Sequence, residues 1–140
     1  MNHDLLKNII YDQHELIQNA DIVARPSYSF EPNANYVLVG QRRARKPTLL
    51  FKIVQDLVAK GATWEQIIYI NFEDERLSEF QKEDFNDILS VQSELSAERG
   101  YFFFDEIQIV PGWEKFCRRM ADAKEHVYVT GSNASMLSRE

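Results

Sequence analysis

The chain has 140 residues, the size of one ordinary domain, and its hydrophobic fraction of 44% argues against global disorder. A net charge of −6 and an isoelectric point of about 5.1 exclude a surface coated in basic residues for duplex DNA, while leaving room for a local patch. A single cysteine, Cys117, excludes an internal disulfide and fits a reducing compartment. No run approaches the ~18 apolar residues of a membrane span, and the first residues have no signal-peptide core, so a cytoplasmic location is expected.

Residues 4–20 set Leu5, Leu6, Ile9, Ile10, Leu16 and Ile17 at near-helical spacing and predict an amphipathic helix. Arg25-Pro26-Ser27-Tyr28 and Glu31-Pro32-Asn33-Ala34-Asn35 are turn chemistry. They divide the chain into an N-terminal helix and linker over 1–30 and a core over 31–140. The apolar run 36–39 predicts a buried strand, which Gly40 ends. A short basic loop and Lys46 lead into an apolar-periodic helix over 49–58, closed by Lys60-Gly61. Thr63 is placed to cap a short turn before the second strand, 67–72 (Ile-Ile-Tyr-Ile-Asn-Phe). That strand runs into Glu73-Asp74-Glu75, an acidic loop expected to be solvated.

A helix is predicted over 80–95, with Phe85, Ile88, Leu89 and Val91 near one face, and Gly100 breaks it. The third strand, 101–104, is Tyr-Phe-Phe-Phe, apolar at every position as strands covered on both faces are. After the Pro111-Gly112 turn, 113–124 predicts a helix with Trp113, Phe116, Met120 and Ala123 in the core. Residues 127–129 form a fourth strand, and 134–139 open a further helix. Four strands alternating with helices predict a parallel α/β sheet.

Three motifs stand at strand carboxyl ends, where open parallel sheets bind ligands. The first is a strand, a Gly-opened loop, a lysine and a helix, the layout of the phosphate-binding P-loop G-x-x-x-x-G-K-[ST]. Its positions are Gly40, Gln41, Arg42, Arg43, Ala44, Arg45, Lys46 and Pro47. The first glycine and the lysine are in register; Arg45 replaces the second glycine and Pro47 the Ser/Thr. The bland alternative is an ordinary βα turn with a solvated basic tip. A second alternative makes Arg42, Arg43, Arg45 and Lys46 a small nucleic-acid patch.

The second motif, Asp105-Glu106, ends an apolar strand as an ATPase requires. There the Asp holds Mg2+, usually through water, and the Glu polarises the attacking water. The alternative is a solvated acidic strand end. The third motif, Thr130-Gly131-Ser132-Asn133, offers polar side chains to a γ-phosphate, or simply caps the next helix. His3, His14 and His126 are isolated and form no metal set, and Cys117 reads as an inert helical thiol.

Four blocks in order carry a family resemblance: residues 40–50, 69–74 (Tyr-Ile-Asn-Phe-Glu-Asp), 105–108 (Asp-Glu-Ile-Gln) with 111–114 (Pro-Gly-Trp-Glu), and 130–133. Over roughly 35–140 the chain resembles the AAA-type P-loop ATPases of bacteria and archaea. That resemblance implies an α/β P-loop NTPase core with flanking helices, and ATP and Mg2+ as ligands. It implies a sheet in which strand one neighbours strand four, then three, then two. It also implies a core incomplete at the C-terminus, stopping before a fifth strand and a helical lid. Strand one is then left as a sheet edge, which invites self-association. Carried over by position, Gly40, Arg43, Ala44, Lys46 and Thr48 are phosphate-binding and Asp105 is the Mg2+ partner. Glu106 is the general base, and Ser132 or Asn133 is the sensor.

Two departures set the expected strength of the site. Arg45 adds a Cβ where the loop backbone closes on phosphate, a strain of about 1–3 kcal/mol if forced left-handed. Pro47 removes an N–H and a Mg2+-ligating hydroxyl; a lost hydrogen bond to a charged group costs about 1.5–3 kcal/mol. Together these weaken affinity by a factor on the order of 10²–10⁴. ATP binding is therefore expected to be weak or absent and hydrolysis very weak. A non-hydrolysing, degenerate P-loop acting as a binding or scaffold module is the alternative function.

Overall fold

The computed structural model describes residues 1–20, 36–39 and 46–131. Helix α1 (His3–Asn19) is followed by strand β1 (Tyr36–Val39) and helix α2 (Lys46–Ala59). Strand β2 (Ile67–Asn71), helix α3 (Phe85–Leu95), strand β3 (Tyr101–Asp105), helix α4 (Trp113–Asp122) and strand β4 (His126–Gly131) complete the order. All pairings are parallel and the strand order is β1-β4-β3-β2, the order that the resemblance implied. The helix expected over 134–139 lies outside the described residues.

Strand alternation sorts the core into two layers. Ile68, Ile70, Phe102, Phe104, Val127 and Val129 face α3 and α4, where Phe85, Ile88, Trp113, Phe116 and Met120 meet them. Ile67, Tyr69, Phe103 and Tyr128 face α2, against Leu50, Ile53 and Val54. This is why the third strand shows no polar position before Asp105: both its faces are covered. Aromatic rings stack across the strands on the α2 face, Phe103 on Tyr128 at 4.7 Å and 6° between planes. Trp113 is a core residue, as expected. Burial pushes the half-buried Cys117 thiol up to about 12, so it stays a protonated, unreactive thiol at neutral pH.

The largest difference from an expected boundary is at the start of α3. The helix expected from residue 80 begins at Phe85, preceded by a 3₁₀ turn over Lys82–Asp84. The Asp84 carboxylate accepts the Gln81 N–H at 2.8 Å, which holds the chain in that turn. Phe80 is buried nonetheless, edge-on to Phe72 and Phe85, so its apolar signal came from packing rather than from helix.

Helix α1 covers the β2 edge of the sheet. Leu6, Ile9 and Ile10 enter the core layer under α3 and α4, while Ile17 enters the layer under α2. All four are fully buried, each contributing roughly 1.5–3 kcal/mol of hydrophobic stabilisation as an upper estimate. Between them His14 Nε2–H donates to the Ile67 carbonyl of β2 at 2.6 Å, satisfying an edge acceptor. Gln55 of α2 donates to the Ile17 carbonyl at 2.9 Å and so closes the C-terminal end of α1. Burial holds His14 below its ordinary value of 6.5, because the neutral ring is the form that fits.

His14→Ala is expected to destabilise the fold by about 2–4 kcal/mol, through a cavity and an orphaned carbonyl. The unfolded chain takes up a proton near 6.5 and the folded chain only lower, so the His14 contribution is lost as pH falls below 6.5. His3, raised by Glu94 and Asp87, has the opposite sign, losing its contribution as pH rises above 6.5. Comparing wild type with His14→Gln by chemical denaturation cancels the His3 effect. The stability difference should shrink as pH falls from 6.5; a constant difference contradicts this role.

Candidate functional site

The parallel registers align the carboxyl ends of all four strands. Val39 pairs with Gly131, Phe104 with Val129, and Asn71 with Asp105. Strand alternation puts Asp105 on the face that α2 covers, as it does Phe103 and Tyr69. Helix α2 opens at Lys46, with Pro47 and Thr48 completing its first turn, where proline fits because the first N–H groups have no helical partner. Gly40, Arg42, Arg43, Ala44 and Arg45 lie outside the described residues, as do Ser132 and Asn133.

Thr130 ties β4 to the end of β3. Its Oγ1 donates to Asp105 Oδ1 at 2.6 Å and accepts the Glu106 N–H at 3.3 Å. Thr130 has no exposed surface, and Asp105 and Glu106 are 4% and 5% exposed, so both carboxylates are held inside the fold rather than solvated. On the other side Tyr69 of β2 directs its hydroxyl to Asp105 Oδ2 at 3.3 Å. Burial and the adjacent Asp105 charge push the Tyr69 phenol well above its ordinary value, keeping it a donor. Backbone joins the same point, because the Phe72 N–H donates to the Asp105 carbonyl at 2.9 Å.

Glu106 leaves the strand with φ 56 and ψ 45, a left-handed conformation that is costly for a residue with a Cβ. The turn Ile107–Ile109 follows at once, and Gln108 Nε2 donates to Glu106 Oε1 at 2.7 Å. Two carboxylates stand at one strand end, that of Asp105 held by a hydroxyl of the neighbouring strand and that of Glu106 by Gln108, and carboxylate oxygens are the donor type that a hard cation such as Mg2+ takes. Sequence reasoning passed over Tyr69, Gln108 and the bridging role of Thr130. Tyr69 carried a signal in its parity with Asn71, the residue paired with Asp105.

The strand order and the acidic strand end define a P-loop-like α/β domain. The chain belongs to the AAA-domain family, whose match spans residues 32–140. It is 34% identical over 137 residues to the uncharacterized protein MJ1544 of Methanocaldococcus jannaschii, covering 97% of this chain and 30% of that protein. It is also 36% identical over 109 residues to an uncharacterized protein of Haemophilus influenzae, covering 74% of this chain and 26% of that one. The chain thus spans under a third of the length of either relative. No solved structure gives a significant match. No described helix is long and apolar enough to cross a membrane.

Replacing Thr130 by Val keeps its shape but removes its hydrogen bonds with Asp105 Oδ1 and the Glu106 N–H. A cost of about 2–5 kcal/mol in urea denaturation is expected. Thr130→Ser, which keeps the hydroxyl, should cost under ~1.5 kcal/mol. Equal costs for the two variants would show that the hydroxyl bridge is unimportant.

Proposed function

We propose that this chain is the nucleotide-binding part of an AAA-type ATPase, taking ATP with Mg2+ at the carboxyl ends of β1, β4 and β3. The observation that carries this reading is the Thr130 hydroxyl, which holds the Asp105 carboxylate and the Glu106 backbone together in a buried site. Family membership supports it, since AAA domains generally bind ATP with Mg2+.

Each residue has one task in this reading. Gly40, Arg43, Ala44, Lys46 and Thr48 bind phosphate, through backbone N–H groups and the lysine charge. Asp105 would hold Mg2+, while Thr130 and Tyr69 orient its carboxylate. Glu106 Oε accepts the proton of the attacking water. Ser132 or Asn133 contacts the terminal phosphate. Bound ATP supplies the phosphoanhydride, and Mg2+ offsets the charge on its phosphates. Arg45 and Pro47 set the limit, by crowding the loop and removing one N–H and one hydroxyl.

Calorimetric titration of the wild-type chain with Mg·ATP should give an affinity weaker than micromolar. The Arg45→Gly, Pro47→Ser double variant should bind more tightly, by a factor on the order of 10²–10⁴. In that variant Glu106→Gln should lower turnover by ~10²-fold or more without changing affinity. Micromolar affinity with brisk turnover in the wild type, or no gain in the double variant, contradicts the proposal.

A further inference from the structure

Gln108 lies in the 3₁₀ turn Ile107–Ile109, two residues past Glu106. Its Nε2 donates to Glu106 Oε1 at 2.7 Å. An ionised carboxylate only accepts, so the nitrogen of the amide must face it, and this fixes where the amide oxygen lies. That oxygen, Oε1, is shielded from solvent and bonds to no group among the described residues. Buried acceptors of this kind are met by ordered water when a second polar partner is within reach. The second partner is the Glu106 carboxylate: the amide oxygen and nitrogen share one carbon, so the orphan acceptor is within one water's span of the group the nitrogen holds. Glu106 is itself pinned, with its N–H on Thr130, its carboxylate on Gln108 and its backbone left-handed.

We propose that Gln108 Oε1 and the Glu106 carboxylate share one bound water, and that this is the water that attacks the terminal phosphate; the inference rests on the ATPase reading above. A water that donates one hydrogen to each of two acceptors has its oxygen lone pairs turned away from both, free to meet an electrophile. In the step, the water oxygen forms the bond to the γ-phosphorus. The bond from that phosphorus to the β–γ bridging oxygen breaks, and its electron pair leaves on ADP. The proton passes to Glu106 Oε. Gln108 exchanges no proton; it orients the water and steadies the base.

Two measurements test this. A high-resolution crystal structure of the nucleotide-free chain should contain an ordered water within hydrogen-bond distance of both Gln108 Oε1 and the Glu106 carboxylate. A dry site there overturns the proposal whatever the chain does with ATP. In the Arg45→Gly, Pro47→Ser chain, Gln108→Ala should lower kcat by roughly 10- to 100-fold with unchanged Mg·ATP affinity. Gln108→Glu, which keeps the side-chain shape but lacks the amide donor, should do the same and guards against a folding defect in the alanine variant. Turnover that needs Glu106 but ignores Gln108→Ala overturns this inference and leaves the ATPase reading standing. Turnover indifferent to both Glu106→Gln and Gln108→Ala overturns both.

Discussion

The Thr130 hydroxyl is the interaction on which the site depends. It gives its one proton to Asp105 and accepts the Glu106 N–H, so a single side chain of β4 fixes both the Asp105 carboxylate and the Glu106 backbone. The geometry is available only because β3 and β4 are adjacent and parallel, with Phe104 opposite Val129. A buried ionised carboxylate without such partners would shift toward its protonated form and lose the charge a cation needs. The fold therefore contributes to the site chiefly by strand order.

That strand order is stabilised at its far edge by a segment outside the family match. Helix α1 precedes residue 32, where the match begins, yet it reaches both core layers and caps a β2 carbonyl through His14. Strand β2 in turn supplies Tyr69 to Asp105. Loosening α1 thus acts on the site through one strand, while the exposed ion pairs between α1 and α3, such as Lys7 with Glu94, add little to that clamp. The N-terminal helix is part of what holds the β2 edge of the sheet in place.

Much of this was legible in the chain. The strands announced themselves through dense β-branched and aromatic runs, and the amphipathic period of α1 located it within a residue of its observed ends. Asp105 and Glu106 were evident as the abrupt acidic end of an apolar strand. Less legible was whatever depended on two segments meeting. His14 looked isolated because its partner is a backbone carbonyl 53 residues away, and a carbonyl leaves no mark in sequence. Tyr69 read as one more aromatic core residue, since its burial and its hydroxyl's task are separate facts. The left-handed turn at Glu106 was hidden because glycine, the usual signal of that conformation, is absent there. Phe80 misled for the converse reason, its apolarity serving packing instead of helix.

On the proposed ATPase reading, the buried Asp105 is where the bound nucleotide's metal is held. The most direct test is calorimetric titration of ATP into the Arg45→Gly, Pro47→Ser chain, with and without Asp105→Asn, each in Mg2+ and in excess chelator. Binding is expected to require Mg2+ and to weaken by about 10-fold or more in Asp105→Asn, the loss of one charge-assisted contact. Equal affinity in all four titrations would contradict the assignment.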